Sequence, residues 1–252
     1  MGTHIVSMEN VSFSYGEKAV LNNVNLTIER GDFVGIVGPN GSAKTTLIKL
    51  MIGLLKPCKG QVKLFGEDIN TFKAYYRLGY ISQNVRNFNQ MFPATVEEVV
   101  GAGIYARKGL ISRIRGEDKE KIDEVLRKVN MLAYKKEKVG NLSGGQKQRV
   151  FIARTLINKP EILFMDEPLI GLDLDSQNQF YNLLDRLRRD YNITIVMVSH
   201  DIGIISEKVN KLFCLSNGKV YEHDLTKDIG SRASDILKNL YGENVKFLFH
   251  KH

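Results

Sequence analysis

The stretch that decides the fold is FVGIVGPNGSAKTTLIKLMIGLL, residues 33–55. It opens with residues 33–37, which are apolar or small and predict a buried strand. A glycine-rich turn follows over residues 38–45, and apolar side chains then recur at helical spacing over residues 46–55. The order is strand, glycine-rich loop, helix. In that order the N–H groups of the loop and of the helix N-terminus can bind phosphate oxygens.

A phosphate-binding loop of this kind gives its polar side chains definite roles. Lys44 would bridge the β- and γ-phosphates of a nucleotide, and the Thr45 hydroxyl would be a ligand for Mg²⁺. Ala43 stands where glycine is usual. A left-handed conformation costs an alanine on the order of 1 kcal/mol, so we expect a negative φ there. The predicted ATP-binding residues of the loop are Gly38, Pro39, Asn40, Gly41, Ser42, Ala43, Lys44, Thr45 and Thr46.

A second apolar stretch, residues 162–165, ends in the carboxylates Asp166 and Glu167. A buried strand delivers its last residues to the carboxyl edge of a parallel sheet, where the ligands of open α/β sheets bind. Asp166 is suited to holding Mg²⁺ through water. Glu167 is suited to orienting or deprotonating the water that attacks the γ-phosphate.

The composition limits the class of protein. The 252 residues are 43% hydrophobic and 25% charged, which excludes disordered, collagen-like and coiled-coil rod proteins. No apolar run reaches the ~18 residues of a membrane span, and the start lacks a signal peptide, so we expect a soluble, cytoplasmic chain. Cys58 and Cys214, with no CxxC spacing, indicate neither a disulfide framework nor a zinc site. The net charge of +8 fits nucleic acid, anionic lipid or a phosphorylated ligand equally well.

The periodicity divides the chain into parts. Thr95 is typical of a helix N-terminus, and apolar residues from Ile122 to Val129 repeat at helical spacing. Strand–helix–strand order then returns and implies a parallel sheet, followed by a hairpin at Asn217-Gly218. We expect a single domain with a nucleotide-binding core and antiparallel β subdomain, a helical subdomain, and a C-terminal helix with a polar tail. The core with its β subdomain covers residues 1–84 and 158–225, the helical subdomain covers residues 85–157, and the C-terminal helix and tail cover residues 226–252.

The pentapeptide Leu142-Ser143-Gly144-Gly145-Gln146 lies between the two nucleotide motifs and before a predicted helix. With these motifs the chain resembles the ATP-binding subunits of ABC transporters, over roughly residues 5–245. In that family this signature lies at a helix N-terminus and binds the γ-phosphate of ATP held by the other subunit. The physics agrees, because Ser143 and exposed amides at the positive end of a helix form an anion site.

The resemblance implies an α/β fold: a P-loop NTPase core, with helices on both faces of a mixed sheet, plus the antiparallel β and α-helical subdomains. Tyr15 matches the aromatic residue that stacks on adenine, and Asp173 matches the aspartate at the subunit boundary. Gln83 matches the glutamine that contacts Mg²⁺ and water, and His200 the histidine that contacts the γ-phosphate. The implied catalytic residues are Lys44, Gln83, Glu167 and His200, and the implied Mg²⁺ ligands are Thr45, Gln83 and Asp166.

The resemblance also implies partners. Because Ser143 serves the nucleotide of the other subunit, two copies would sandwich two ATP molecules head to tail, as a homodimer in the working complex and a monomer in isolation. The dimer would dock on a polytopic membrane permease at the cytoplasmic face of the membrane, through residues 84–94 and the following helix. No nucleic-acid partner is implied.

Within the family, QMFPATV at residues 90–96 and LYG at residues 240–242 most resemble the zinc and manganese importers. That subtype adds an extracytoplasmic metal-binding protein as an indirect partner. His250 and His252 fit either metal sensing or a solvated tail. The Leu169-Ile170-Gly171 segment departs from the family pattern, in which a small polar residue is more usual.

Other classes share these motifs. An importer of an iron chelate or cobalamin, an exporter subunit, or a soluble ATPase of iron–sulfur assembly would each carry them. A DNA-repair ATPase of the head-domain type would insert a long coiled coil, for which the chain between Lys44 and Asp166 has no room.

Overall fold

The computed structural model describes residues 4–83, 93–108 and 115–225. The predicted C-terminal helix and tail, and most of the predicted permease-docking segment, lie outside these residues. The chain divides into two compact units, Met1–Thr71 with Val198–His252, and Phe72–Met197.

The described residues form ten strands, seven α-helices and several short 3-10 turns. The strands are β1 (His4–Tyr15), β2 (Lys18–Glu29), β3 (Phe33–Val37), β4 (Lys59–Leu64), β5 (Glu67–Asp68), β6 (Leu78–Ile81), β7 (Ile162–Asp166), β8 (Thr194–Val198), β9 (Lys211–Ser216) and β10 (Lys219–Asp224). The helices are α1 (Lys44–Met51), α2 (Val96–Gly101), α3 (Tyr105–Lys108), α4 (Gly116–Lys128), α5 (Gly144–Leu156), α6 (Leu174–Tyr191) and α7 (Ile202–Lys208).

The first unit holds a four-stranded antiparallel sheet in the order β2-β1-β4-β5. Its apolar alternation is visible in β2, where Val24, Leu26 and Ile28 are all buried while Asn23 and Asn25 are exposed. Because successive side chains of a strand point to opposite faces, this alternation gives the sheet one apolar face.

A second group of strands in the first unit runs in the order β10-β9-β3. All five residues of β3 are buried, as the run at residues 33–37 predicted, and β3 pairs in parallel with β9. The predicted hairpin joins β9 to β10, with Asn217 and Gly218 at φ 50° and 73°. Two positive φ values suit the tight turns that match strand twist.

The second unit carries β8, β7 and β6 in that order, with β6 and β7 parallel, together with helices α2 to α6. Thr95 caps α2 as expected, and it forms a capping box with Glu98. Helix α4 buries Ile122, Val125 and Leu126, the face that the sequence spacing predicted. No helix in the described part of the chain is long and apolar enough to cross a membrane.

Helix α1 differs from the helix predicted over residues 46–55. It begins two residues earlier, at Lys44, and ends at Met51. Gly53 follows the C-cap residue Ile52 with φ 75°, the left-handed conformation that commonly terminates helices. Leu54, which continued the apolar spacing, is consequently 62% exposed. The apolar repeat alone overestimated the length of the helix.

Candidate active site

The loop between β3 and α1 is built around a close approach at Gly38. A β-carbon at this position would lie 2.5 Å from the Leu215 carbonyl oxygen and 2.6 Å from Ser42 Oγ. Only glycine fits there, because real β-carbons do not approach backbone so closely. The buried strand β3 therefore runs directly into a tight loop whose path is fixed by the neighbouring strand β9.

The ammonium group of Lys44 lies against the backbone of the loop. Lys44 is 5% exposed, and its Nζ donates to the carbonyl oxygens of Gly38 at 2.8 Å and Pro39 at 3.0 Å. Within the described residues the N–H groups of Gly41 and Ala43 make no hydrogen bond, and the buried Ser42 Oγ has no partner. A buried ammonium beside unused donors suits a phosphate group. The loop therefore fits a nucleotide.

The expected negative φ at Ala43 is wrong. Ala43 has φ 75° and ψ 25°, a left-handed conformation. It is the N-cap of α1, and its carbonyl oxygen accepts the Leu47 N–H at 2.9 Å. The loop must turn at this residue to enter the helix, and this requirement outweighs a strain on the order of 1 to 2 kcal/mol.

Two other predicted residues belong to the same unit as the loop. Tyr15 is 49% exposed, packs edge-on against Phe13 with ring centroids 4.8 Å apart, and has its hydroxyl 3.4 Å from Thr46 Oγ1. The exposed His200 follows Ser199, whose N–H donates to the Ile36 carbonyl of β3 at 3.0 Å. Both residues are therefore attached to the elements that carry the loop, Tyr15 through α1 and His200 through β3.

The predicted carboxylates lie in the second unit, at the end of β7. Asp166 is buried, and Glu167 follows it with φ 52°. Gln83, two residues beyond β6, donates from Nε2 to Glu167 Oε2 at 2.7 Å. Burial, with a smaller contribution from the charge of Asp166, raises the pKa of Tyr80 to about 12, so this phenol stays neutral. The structure thus brings Gln83 and Glu167 into direct contact, which the sequence motifs did not predict.

The oxygen donors proposed for a metal ion suit Mg²⁺. Carboxylate and hydroxyl oxygens such as those of Asp166 and Thr45 are the hard ligands that this ion prefers, together with phosphate oxygens and water. The described residues contain no group of three or more His, Cys, Asp and Glu side chains that could hold a metal ion by themselves. A bound nucleotide would therefore have to complete such a site.

The signature pentapeptide begins α5. Ser143 is the N-cap: its Oγ accepts the Gln146 N–H at 3.3 Å, while Gln146 Oε1 accepts the Ser143 N–H at 2.9 Å. Leu142 is buried and anchors the segment. This reciprocal capping box fixes the helix N-terminus, so its dipole and amides have a defined position.

Among the residues that the structure describes, no contact requires glycine at the two signature positions. A β-carbon at Gly145 would lie 3.5 Å from Leu172 Cδ2, and one at Gly144 would lie 4.0 Å from the same atom. Both are ordinary van der Waals contacts, so an alanine would fit at either position. The bare backbone at this position is therefore suited to the close approach of a group from outside the chain.

Asp173 is the N-cap of α6. Its Oδ1 accepts the Ser176 N–H at 2.9 Å and its Oδ2 accepts the Ser176 hydroxyl at 2.8 Å, and these hydrogen bonds lower the pKa of the Asp173 carboxyl. The neighbouring Ile170 and Leu174 are exposed. Asp173 thus has a structural function in this chain, in addition to the boundary position that the sequence resemblance implied.

The predicted residues fall into two sets, one in each unit. The first contains Tyr15, the loop of residues 38–46 and His200. The second contains Gln83, Asp166, Glu167, the signature and Asp173. Their joint use on one nucleotide remains a prediction.

Comparisons with known proteins agree with these motifs. A family model described as ABC transporter matches residues 21–170. The zinc uptake system ATP-binding protein of Listeria innocua is 40% identical over 236 residues, covering 92% of each chain. The manganese transport system ATP-binding protein of Bacillus subtilis is 38% identical over 246 residues, covering 98% of this chain and 96% of that protein. A dimeric structure of a bacterial ABC transporter cassette superposes with a TM-score of 0.75 at 31% identity, covering 87% of this chain and 98% of the other.

Proposed function

The chain belongs to the ABC transporter family, and we propose that it is the ATP-hydrolysing subunit of a system that imports a divalent metal ion, zinc or manganese. ATP binding and hydrolysis are the common activity of ABC cassettes, and this chain is an ATPase with the α/β fold of those cassettes. The observation that carries the proposal is the phosphate-binding loop with its internal Lys44 cation, in a chain 40% identical to a zinc uptake subunit over 92% of its length.

In the proposed reaction the loop binds the phosphates of ATP. Lys44 and the N–H groups of Gly41 and Ala43 would neutralise the β- and γ-phosphates, and Tyr15 would stack on adenine. Thr45, Gln83 and Asp166 are the residues that would hold Mg²⁺, and the ion would supply further charge neutralisation. These groups bind and orient; none of them forms a covalent intermediate.

The chemical step uses water. Glu167 would accept a proton from water as the water oxygen bonds to the γ-phosphorus. The bond from the γ-phosphorus to its bridging oxygen breaks, and that oxygen leaves with ADP. His200 would donate to the γ-phosphate and stabilise its developing charge.

We propose that two copies complete each site head to tail. The open backbone at Gly144 and Gly145 supports this, because no neighbour within the described part of the chain requires glycine there. A capped helix N-terminus with bare amides suits the γ-phosphate of a nucleotide bound to the other copy. A similar cassette has been solved as a dimer, which supports the pairing of two copies.

The proposed partners are a polytopic permease and, indirectly, an extracytoplasmic metal-binding protein. The relatives are ATP-binding subunits of zinc and manganese transport systems. We therefore place the chain at the cytoplasmic face of the cell membrane as a peripheral subunit, and assign part of its positive charge to phosphate binding rather than to nucleic acid.

The test is metal accumulation in cells that lack this chain, measured by mass spectrometry for Zn²⁺, Mn²⁺ and Fe²⁺. We expect zinc or manganese to fall and to be restored by the wild-type chain but not by Lys44→Ala. A fall in iron alone would favour an iron importer. No change in any of the three metals would contradict metal import. Retained uptake after deletion of residues 246–252 would show that the terminal histidines are not needed.

A further inference from the structure

Gln83 and Glu167 face each other because of the register of two neighbouring strands. Strand β6 pairs with β7 in parallel, with Leu78 opposite Ile162 and Ile81 opposite Met165. Continuing that register by two residues places Gln83 opposite Glu167, and the side chains do meet, with Gln83 Nε2 donating to Glu167 Oε2 at 2.7 Å. The contact therefore follows from strand pairing, and does not depend on a flexible loop reaching across.

The same register is fixed at the other end of the strand pair. Arg77, just before β6, forms an ion pair with Glu161, just before β7. The Glu161 N–H also donates to the Arg77 carbonyl oxygen at 2.8 Å. A slip of one residue would break both side-chain contacts and turn every side chain of β6 to the opposite face. The ion pair and the amide–carboxylate contact thus belong to one register.

The chemistry of the two groups fixes the orientation of the amide. An ionised carboxylate only accepts hydrogen bonds, so Gln83 must direct its NH₂ group, and not its oxygen, at Glu167. The backbone of Glu167 is held as well, since φ 52° is a left-handed conformation that a residue other than glycine adopts only where its surroundings impose it. The carboxylate is therefore held both by its own backbone and by Gln83.

We propose that Gln83 is a positioning residue for the general base: its hydrogen bond to Oε2 holds the Glu167 carboxylate in the orientation in which that carboxylate accepts a proton from the attacking water. This inference rests on the proposed ATPase mechanism. It differs from the role that the family resemblance implied, in which Gln83 contacts Mg²⁺ and water. Here Gln83 acts on hydrolysis through Glu167.

A double-mutant cycle on the full chain tests the proposal. Gln83→Met keeps the length of the side chain and removes the donor, and Glu167→Ala removes the acceptor. We expect Gln83→Met to lower kcat about tenfold or more, with the KM for ATP changed less than about twofold. In the Glu167→Ala background the same substitution should change kcat by less than about twofold, because its partner is absent.

The chain offers a matched control. Gln61 Nε2 donates to Asp68 Oδ2 at 2.8 Å. This is the same kind of hydrogen bond, and Gln61 is separated in the sequence from every predicted site residue. Gln61→Met should leave kcat unchanged. Gln83 is exposed, so its substitution leaves the core intact, and Gln83→Leu repeats the cycle with a second side chain.

Two results would overturn the inference. One is an unchanged kcat in Gln83→Met, and the other is a double variant whose loss of kcat equals the product of the losses in the two single variants. Multiplied reductions accompanied by weaker Mg²⁺ binding to the ATP-bound chain, measured with a fluorescent nucleotide, would assign Gln83 to the metal instead. A wild-type chain that binds ATP but does not hydrolyse it would contradict the proposed function itself. That outcome differs from both results above, in which the wild-type chain is active.

Discussion

Lys44 Nζ donates to the carbonyl oxygen of Gly38 at 2.8 Å, so the first residue of α1 holds the first residue of the loop that precedes it. The Lys44 side chain is buried, and its Nζ also donates to the Pro39 carbonyl oxygen at 3.0 Å. The ammonium that we propose binds phosphate also holds the loop through this hydrogen bond, so removal of the side chain should affect both functions.

Lys44→Ala should therefore abolish ATP binding at micromolar nucleotide and lower ATPase activity by about 10²-fold or more, the scale for removing a preorganised electrostatic group. Nucleotide fluorescence and phosphate release measure both effects. Lys49→Ala, in the same helix, serves as the control and should retain activity. Normal turnover in Lys44→Ala would contradict the assigned site.

Ala43→Gly should stabilise the protein by about 0.5 to 1 kcal/mol. Glycine removes the left-handed strain of an alanine at φ 75°, and this gain exceeds the extra backbone entropy of glycine in the unfolded chain. Urea unfolding measures the difference. Ala43→Val should have the opposite sign, because a β-branched residue is disfavoured at positive φ. A destabilised Ala43→Gly variant would show that the loop is not strained there.

Gly145→Ala should separate folding from function. An alanine β-carbon has room beside Leu172, so we expect stability to be unchanged or slightly raised, while ATP-dependent dimerisation and ATPase activity are lost. Gly103→Ala is the contrasting variant, since its β-carbon would lie 2.3 Å from the Arg154 carbonyl oxygen; it should destabilise the fold. Full activity in Gly145→Ala would refute the proposed approach of a second copy.

Glu167→Gln should lower turnover by about 10²- to 10⁴-fold, the range for a general base, while ATP binding persists. The variant should accumulate as a dimer with ATP, because the two copies pair around ATP but the bound ATP is not hydrolysed. Light scattering with and without ATP checks this. A variant that remains monomeric with ATP would contradict the head-to-tail dimer, and unchanged turnover would exclude Glu167 as the base.

The two thiols should react very differently. Burial raises the pKa of Cys214 to about 12, and its side chain lies in the core strand β9, whereas Cys58 is exposed. At pH 8 a thiol reagent should label one cysteine per native chain and two per unfolded chain. Rapid labelling of both in the native protein would show that β9 opens readily.

Much of the fold could be predicted from the sequence where burial leaves little choice. The run at residues 33–37 became β3 at its predicted bounds, because continuous apolar residues suit a strand that is covered on both faces. The end of α1 was missed because apolar spacing continues past Gly53 to Leu54. Ala43 was missed because residue type gives only an average preference for φ, and the loop imposed the exception.

The site could be predicted as a set of residues but not as a set of contacts. Motifs identified Gln83 and Glu167 separately, since each occupies a family position. Their hydrogen bond depends on which residue of β6 lies opposite which residue of β7, and no local pattern contains that information. Once the register is known, the matching positions of Arg77 with Glu161 and of Gln83 with Glu167 follow from it.

That shared register has a consequence for how chains of this kind can vary in length. The Arg77–Glu161 and Gln83–Glu167 contacts both need the same number of residues in each strand segment. Inserting or deleting one residue between Arg77 and Gln83, or between Glu161 and Glu167, would therefore break one contact if the other is kept. A change in length within the segment between the two strands does not by itself shift the pairing of β6 with β7, because each contact lies beside the paired residues. Changes in length should therefore accumulate between the strands, while both short segments keep the same number of residues.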